Sequence, residues 1–202
     1  MRDTTKAFYI AAGSQYLKRI EPGVPRKLYT LTKFLTRGSL VLDVGCAGGR
    51  DSKVLLKRGF QVVGIDIVPS FIRYAKKKLK NGSFRLMDVR HLKFPSNMFD
   101  AIWCGAVLHH LSRREIPKIV KGFHRVLKRG GLITIREKWG KGTEMRQDIL
   151  WGGLKRRVIY FTTKELKTII QKAGFKIVKR SIGKDSFGRN DVKWAAVVAK
   201  KL

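Results

Sequence analysis

Acidic residues are scarce in this 202-residue chain: 14 Asp and Glu stand against 45 Lys and Arg, a formal net charge of +31. Cysteine is scarcer still. The two present, Cys46 and Cys104, form no disulfide framework and no metal-ligand spacing, as is usual in a reducing compartment. No metal site is expected. No apolar run approaches the roughly 20 residues that a membrane span needs. Met1 to Ile20 also lacks the basic, then apolar, then small order of a secretory leader. The expectation is a cytoplasmic protein with no membrane partner. Repeats and low-complexity tracts are absent, and 44% hydrophobic beside 29% charged residues argues against disorder and for one folded domain.

A positive excess of this size favours polyanionic partners such as RNA. It is not confined to a tail. Residues 1–37 hold 8 basic against 2 acidic residues, 38–137 hold 20 against 7, and 138–202 hold 17 against 5. A basic, Lys-rich surface typical of the source proteome is the other reading of such a spread.

Strand-like runs at Leu40 to Val44, Gln61 to Ile65, Ser83 to Met87, Ala101 to Cys104 and Leu132 to Ile135 alternate with helix-like segments at Ser52 to Lys57, Pro69 to Lys80 and Arg114 to Lys128. This is βαβ alternation, which predicts a parallel sheet covered by helices on both faces. Lys80-Asn81-Gly82 and Arg129-Gly130-Gly131 read as helix stops. Thr162-Thr163-Lys164-Glu165 reads as a capped helix start, with Leu166, Ile169, Ile170 and Ala173 on one face. Two more strand-like runs, Phe175 to Val178 and Trp194 to Val198, bring the strands to seven and predict an antiparallel C-terminal edge.

The densest signal is Leu40-Val41-Leu42-Asp43-Val44-Gly45-Cys46-Ala47-Gly48-Gly49-Arg50-Asp51, an apolar strand closed by an acid and followed by a glycine-rich turn. Glycine lets bare backbone approach a ligand, and the following helix offers unpaired N–H groups. A dinucleotide fingerprint would need a third glycine where Arg50 stands, and a P-loop would need Lys-Ser/Thr after Gly49. An acid ahead of the glycines suits instead a ligand with a cationic amino group.

These residues resemble the class I S-adenosylmethionine-dependent methyltransferases, in particular the small type 11 group. Asp43, Gly45 and Gly49 match the acid-x-Gly-x-Gly-x-Gly pattern, with Ala47 in place of its central glycine. Further matches follow in order: Gly64-Ile65-Asp66 for the acid closing strand two, Met87-Asp88-Val89 for the adenine-contacting pair, and Phe99 to Trp103 for strand four. Val107-Leu108-His109-His110-Leu111 resembles the segment after strand four, and Arg125 to Gly131 resembles the helix and Gly-Gly turn before strand five. The resemblance spans Leu40 to Glu137. It implies a Rossmann-like, seven-stranded, mostly parallel sheet and S-adenosyl-L-methionine as cofactor. It also implies a cofactor site drawn from Asp43, Gly45, Cys46, Ala47, Gly49, Arg50, Asp66, Ile67, Asp88, Val89 and Cys104. Asp43 is placed near the methionyl amino group and Asp66 on the ribose hydroxyls. Asp43 and Asp66 can also be read as helix caps, and Asp88 as an ordinary turn residue.

A sulfonium methyl is already activated, so the protein must chiefly align an acceptor and exclude water. His110 and His109 follow strand four at the crevice mouth and are the candidate bases, His110 first; either can instead be a packing contact. Cys104 lacks the Pro-Cys context of pyrimidine C5 methylation, and no Asn/Asp-Pro-Pro-aromatic signature for amino methylation follows strand four.

The expected layout is a single domain over 1–202. It comprises an N-terminal helical lid (1–37) whose Tyr16 the resemblance places on the cofactor, the cofactor core (38–137), a substrate-side insertion (138–160) and a C-terminal helix and strand pair (161–202). In the insertion, Trp139, Arg146, Trp151 and Arg156 mix aromatics with cations, as base stacking and phosphate contacts require; the alternatives are burial of Trp139 and Trp151 against the sheet and a solvated face for the arginines. A more distant similarity to tRNA wobble-uridine carboxymethyl methyltransferases points the same way. The sequence therefore predicts a methyltransferase with RNA or tRNA as the first acceptor. A small-molecule methyltransferase with a basic surface and a catalytically silent nucleic-acid-binding subunit are the other two readings.

Overall fold

The computed structural model describes residues 4–21, 28–147, 155–185, 189 and 191–202. Two helices come first, α1 (Thr4–Ile20) and α2 (Leu28–Thr32). They are followed by β1 (Leu40–Val44), α3 (Arg50–Lys57), β2 (Gln61–Asp66), α4 (Pro69–Lys78), β3 (Ser83–Leu86), β4 (Phe99–Gly105), α5 (Ile116–Val126) and β5 (Leu127–Lys138). A hairpin, β6 (Thr143–Gln147) and β7 (Lys155–Ile159), precedes α6 (Thr163–Lys172), β8 (Phe175–Lys184) and β9 (Lys193–Lys201).

Seven strands form one sheet in the order β3-β2-β1-β4-β5-β9-β8. β1 to β5 are parallel, β9 runs against β5, and β8 runs against β9. The chain steps outward from β1 to β3 and then returns to the other side of β1 with β4, so the crevice where such sheets bind ligands lies beyond the carboxyl ends of β1 and β4.

Central strands are buried on both sides, and alternate residues feed two cores. Leu42, Val44, Ile65, Ile102, Cys104, Ile133 and Ile135 meet Ile119, Val120 and Phe123 of α5 and Leu166 and Ile170 of α6. Val41, Val62, Ala101 and Trp103 meet Leu28 and Leu31 of α2 and Leu55 of α3. Asp43 shares the second face with Val41, which places its carboxylate beside the start of α3.

Local chemistry fixes the helix limits. α4 starts at Pro69 and ends in Lys76, Lys77 and Lys78, cations suited to a helix C-terminus. α6 begins with the predicted capping box: Glu165 N–H donates to Thr162 Oγ1 at 3.1 Å, and Thr162 N–H donates to Glu165 Oε2 at 2.7 Å. Elsewhere the structure departs from expectation. Gly130-Gly131 does not end a helix. α5 stops at Val126, and β5 is already paired at Leu127 with Phe99; its register then shifts between Phe99 and Ala101, with Gly130 at φ 76°. The β6–β7 hairpin was not foreseen. α1 is bent at Gly13, whose φ 43° and ψ −129° belong to backbone that residues with a Cβ avoid.

Candidate active site

A cleft of about 1030 Å³ opens at the carboxyl ends of β1, β2 and β4, under α1. Asp43, Gly45, Cys46, Ala47, Arg50, Asp66, Ile67, Asp88 and Val89 all line it, as does Tyr16 of α1. Ten of the twelve predicted cofactor residues are thus brought together. Two are not. Cys104 points into the core with Leu42 and Ile135 and is fully buried there. Gly49 turns its open face away from the cleft: at φ 85° it caps α3, and a Cβ on it would come within 2.6 Å of Leu79.

The glycine turn closes tightly. Gly45 and Cys46 both donate their N–H to the Ile65 carbonyl, at 2.8 and 3.0 Å. Gly45 has φ 68°, and an added Cβ would lie 2.4 Å from Val107 Cγ2, so both backbone and space require glycine there. Ala47 occupies the left-handed region at φ 47°, as a glycine in its place would do without strain.

Each carboxylate is braced differently. Asp43 is buried, and its Oδ2 accepts a 2.6 Å hydrogen bond from Ser52 Oγ at the start of α3. Burial, with Asp51 nearby, pushes its carboxyl up to about 7. Asp66 accepts N–H groups from Val68 at 2.9 Å and Ala47 at 3.0 Å. Its carboxyl is raised by burial, against the pull of those N–H donors. Asp88 lies opposite the Arg90 fork, which approaches both its oxygens. Burial raises its carboxyl, but the Arg90 side chain and N–H outweigh this and leave it below the usual range. Asp51, also on the cleft wall, joins Arg50 Nε at 2.7 Å to the Trp103 indole N–H at 2.8 Å.

The two histidines diverge. His109 does not line the cleft; its Nδ1 lies 2.5 Å from Glu137 Oε2, and both residues are buried. Glu137, at the end of β5, also accepts N–H groups of Val107, Leu108 and His109 and so clamps the turn Leu108–His110. Burial raises the Glu137 carboxyl to about 8, and burial also drives the His109 imidazole well below its usual value. His109 is thus a positioning contact, which corrects its assignment as a base. His110 does line the cleft. Burial and then His109 hold its imidazole well below the usual range, so it is neutral at physiological pH.

Arg156 Nη1 donates to the Tyr9 hydroxyl at 2.5 Å, and that oxygen lies 2.9 Å from His110 Nε2. A guanidinium only donates, so the tyrosine proton is free to point at the imidazole. Arg156 is buried with its guanidinium 4.6 Å from the Phe8 ring centre, beneath α1. Of the other insertion residues, Arg146 pairs with Asp191 at 2.7 Å and Trp139 is partly exposed beside Lys193, both away from the cleft. Trp151 lies outside the described residues. Burial raises the thiols of Cys46 and Cys104 well above their ordinary value.

Tyr9, Asp51, Arg90, Trp103 and Glu137 are the site residues that motif matching missed. Glu137 had a usable signal, an acid at the carboxyl end of a sheet strand. Tyr9 had none, because only tertiary packing brings α1 over the crevice.

The chemistry of the donor set fits S-adenosylmethionine. The carboxylates of buried Asp43 and half-buried Asp66, at two adjoining strand ends, face a cleft whose Ile67, Val89 and Phe71 supply apolar wall, as an amine, vicinal hydroxyls and a purine require. Residues 42–135 match the family model described as a methyltransferase domain. An uncharacterised methyltransferase of Synechocystis is 31% identical over 101 residues, 50% of this chain and 48% of that protein. A ubiquinone biosynthesis O-methyltransferase of Coxiella burnetii is 32% identical over 112 residues, 54% of this chain and 47% of that protein. This chain therefore spans about half the length of the curated relatives it matches. Among solved structures, the 1,6-didemethyltoxoflavin N1-methyltransferase of Burkholderia thailandensis, with its acceptor and S-adenosylhomocysteine bound, superimposes with a TM-score of 0.80. Its sequence identity is 20%, over 98% of this chain and 87% of that one. Residues 42–135 are thus similar to a methyltransferase domain, and the chain has the Rossmann-like fold of the solved methyltransferase it superimposes on.

Proposed function

We propose that this chain transfers a methyl group from S-adenosylmethionine to a small-molecule acceptor. The observation that carries this reading is the cleft itself: Asp43, Asp66 and Asp88 at three successive strand ends, roofed by α1. Asp43 receives the methionyl amino group, Asp66 the ribose hydroxyls, and Asp88 with Val89 the adenine edge. Gly45, Cys46 and Ala47 supply the close backbone wall. Tyr16, stacked on Phe71 with ring centres 5.5 Å apart, closes the roof. Bound cofactor supplies a sulfonium-activated methyl group. The chain's own residues align the acceptor and keep water out. Neutral His110 takes the acceptor's proton, with Tyr9 as the relay between its Nε2 and the cleft.

The acceptor assignment moves from RNA to a small molecule for two reasons. Ubiquinone biosynthesis and didemethyltoxoflavin, in the names of the relatives, are small-molecule chemistry. Arg156, read from sequence as a phosphate contact, is buried under α1 and bonded to Tyr9. α1 acts as the lid and β7 as its support, since β7 carries Arg156 beneath α1. Among the described residues no helix is long and apolar enough to cross a membrane.

Tritiated methyl transfer to a metabolite extract and, separately, to total tRNA tests the reading. Label in small metabolites supports it. Label in tRNA alone, lost as salt rises, returns the acceptor to RNA.

A further inference from the structure

The glycine turn has a second side. Behind it lies another cleft, of about 930 Å³, formed where α3, α4 and the end of α1 converge on Gly48 and Gly49. Lys53 and Lys57 are one helical turn apart on α3, and Lys78 is one turn beyond Tyr74 on α4, so both pairs face the same space. Gly48 permits the close approach, since a Cβ there would lie 2.8 Å from Leu17 and 3.0 Å from the Tyr74 ring.

The charge of this cleft is one-sided. Among the described residues Glu21 is the one acid that lines it, against Lys53, Lys57, Lys78 and Arg50. Arg50 is engaged with Asp51, but among the described residues none of the three lysines forms an ion pair. Three ammonium groups around a concavity raise its potential more than the same charges on a flat surface. Lysine in that arrangement acts as a point charge for phosphate oxygens. Vicinal phosphates, packed within a few ångströms of one another, match three converging lysines better than the spaced phosphates of an extended polynucleotide.

We infer that this second cleft binds a di- or triphosphate group, supplied either by inorganic polyphosphate or by a nucleoside polyphosphate. It is separate from the cofactor cleft, although Arg50 lines both.

Isothermal titration of the full chain with inorganic tripolyphosphate and with GDP, in saturating S-adenosylhomocysteine, tests the inference. One equivalent of at least one anion binds. Substituting Lys53, Lys57 and Lys78 together by Ala weakens that binding about tenfold or more, the order expected from losing charge-assisted contacts. The control replaces Lys176, Lys179 and Lys184 of exposed β8 by Ala, removing the same charge, and leaves binding unchanged. Tighter binding of GDP assigns the nucleoside source, and tighter binding of tripolyphosphate the inorganic one. Absence of binding by both anions at millimolar concentration, or equal loss in both triple variants, overturns the site.

Discussion

The Tyr9 hydroxyl lies 2.9 Å from His110 Nε2 and accepts from Arg156 Nη1, so one oxygen joins α1, the turn after β4 and the β7 strand above the cleft. Tyr9→Phe removes that junction and leaves a buried imidazole nitrogen without its donor. The expected cost is about 1–3 kcal/mol in denaturant unfolding. Methyl transfer falls further than cofactor affinity, since Asp43 and Asp66 are untouched.

Gly13 sets the bend that puts Tyr9 on one arm of α1 and Tyr16 on the other. No atom lies within 4 Å of a Cβ built there, so Gly13→Ala meets no clash and its cost is backbone strain alone. That cost is about 1–3 kcal/mol. Hydrogen exchange shows it as faster opening of residues 4–20, with β1 and β4 unchanged.

Asp43 carries a pH dependence whose sign is fixed. Its carboxyl titrates near 7 in the fold and near 3.8 in the unfolded chain, so the folded state holds the extra proton between these values. Its contribution is therefore fully present below pH 3.8 and lost as pH rises through about 7. Glu137, raised to about 8, acts in the same direction. Asp43→Asn removes the first contribution: the variant's melting temperature gains on that of the unliganded parent as pH goes from 5 to 8. A constant difference across that range refutes the assignment.

Glu137→Gln puts an amide N–H₂ where the carboxyl group accepts three backbone N–H groups and meets the His109 ring. The expected loss is about 1–3 kcal/mol by denaturant unfolding, as for buried N–H donors left without their acceptor. Cofactor affinity falls with it, because Val107 and His110 line the cleft.

Much of this fold was legible because its central strands are apolar on both faces and its acids fall at strand ends. Asp43, Asp66 and Asp88 could be placed in the crevice from the resemblance together with their positions at strand ends. The hairpin could not: β6 is Thr-Glu-Met-Arg-Gln, almost wholly exposed, and carries no periodic apolar signal. Gly130-Gly131 misled because a strand irregularity and a helix stop use the same residue. Arg156 and Cys104 show a different limit. Residue type gave Arg156 a phosphate contact and the resemblance gave Cys104 a cofactor contact, yet packing turned the first under α1 and the second into the core.

The central claim is that the cleft at the ends of β1 and β2 holds S-adenosylmethionine, and calorimetric titration with S-adenosylhomocysteine tests it most directly. One equivalent binds the parent chain, and Asp66→Ala, with folding checked by thermal unfolding, weakens binding about tenfold to a hundredfold through loss of the ribose-hydroxyl acceptor. Absence of binding to the parent, or equal affinity for both proteins, contradicts the account.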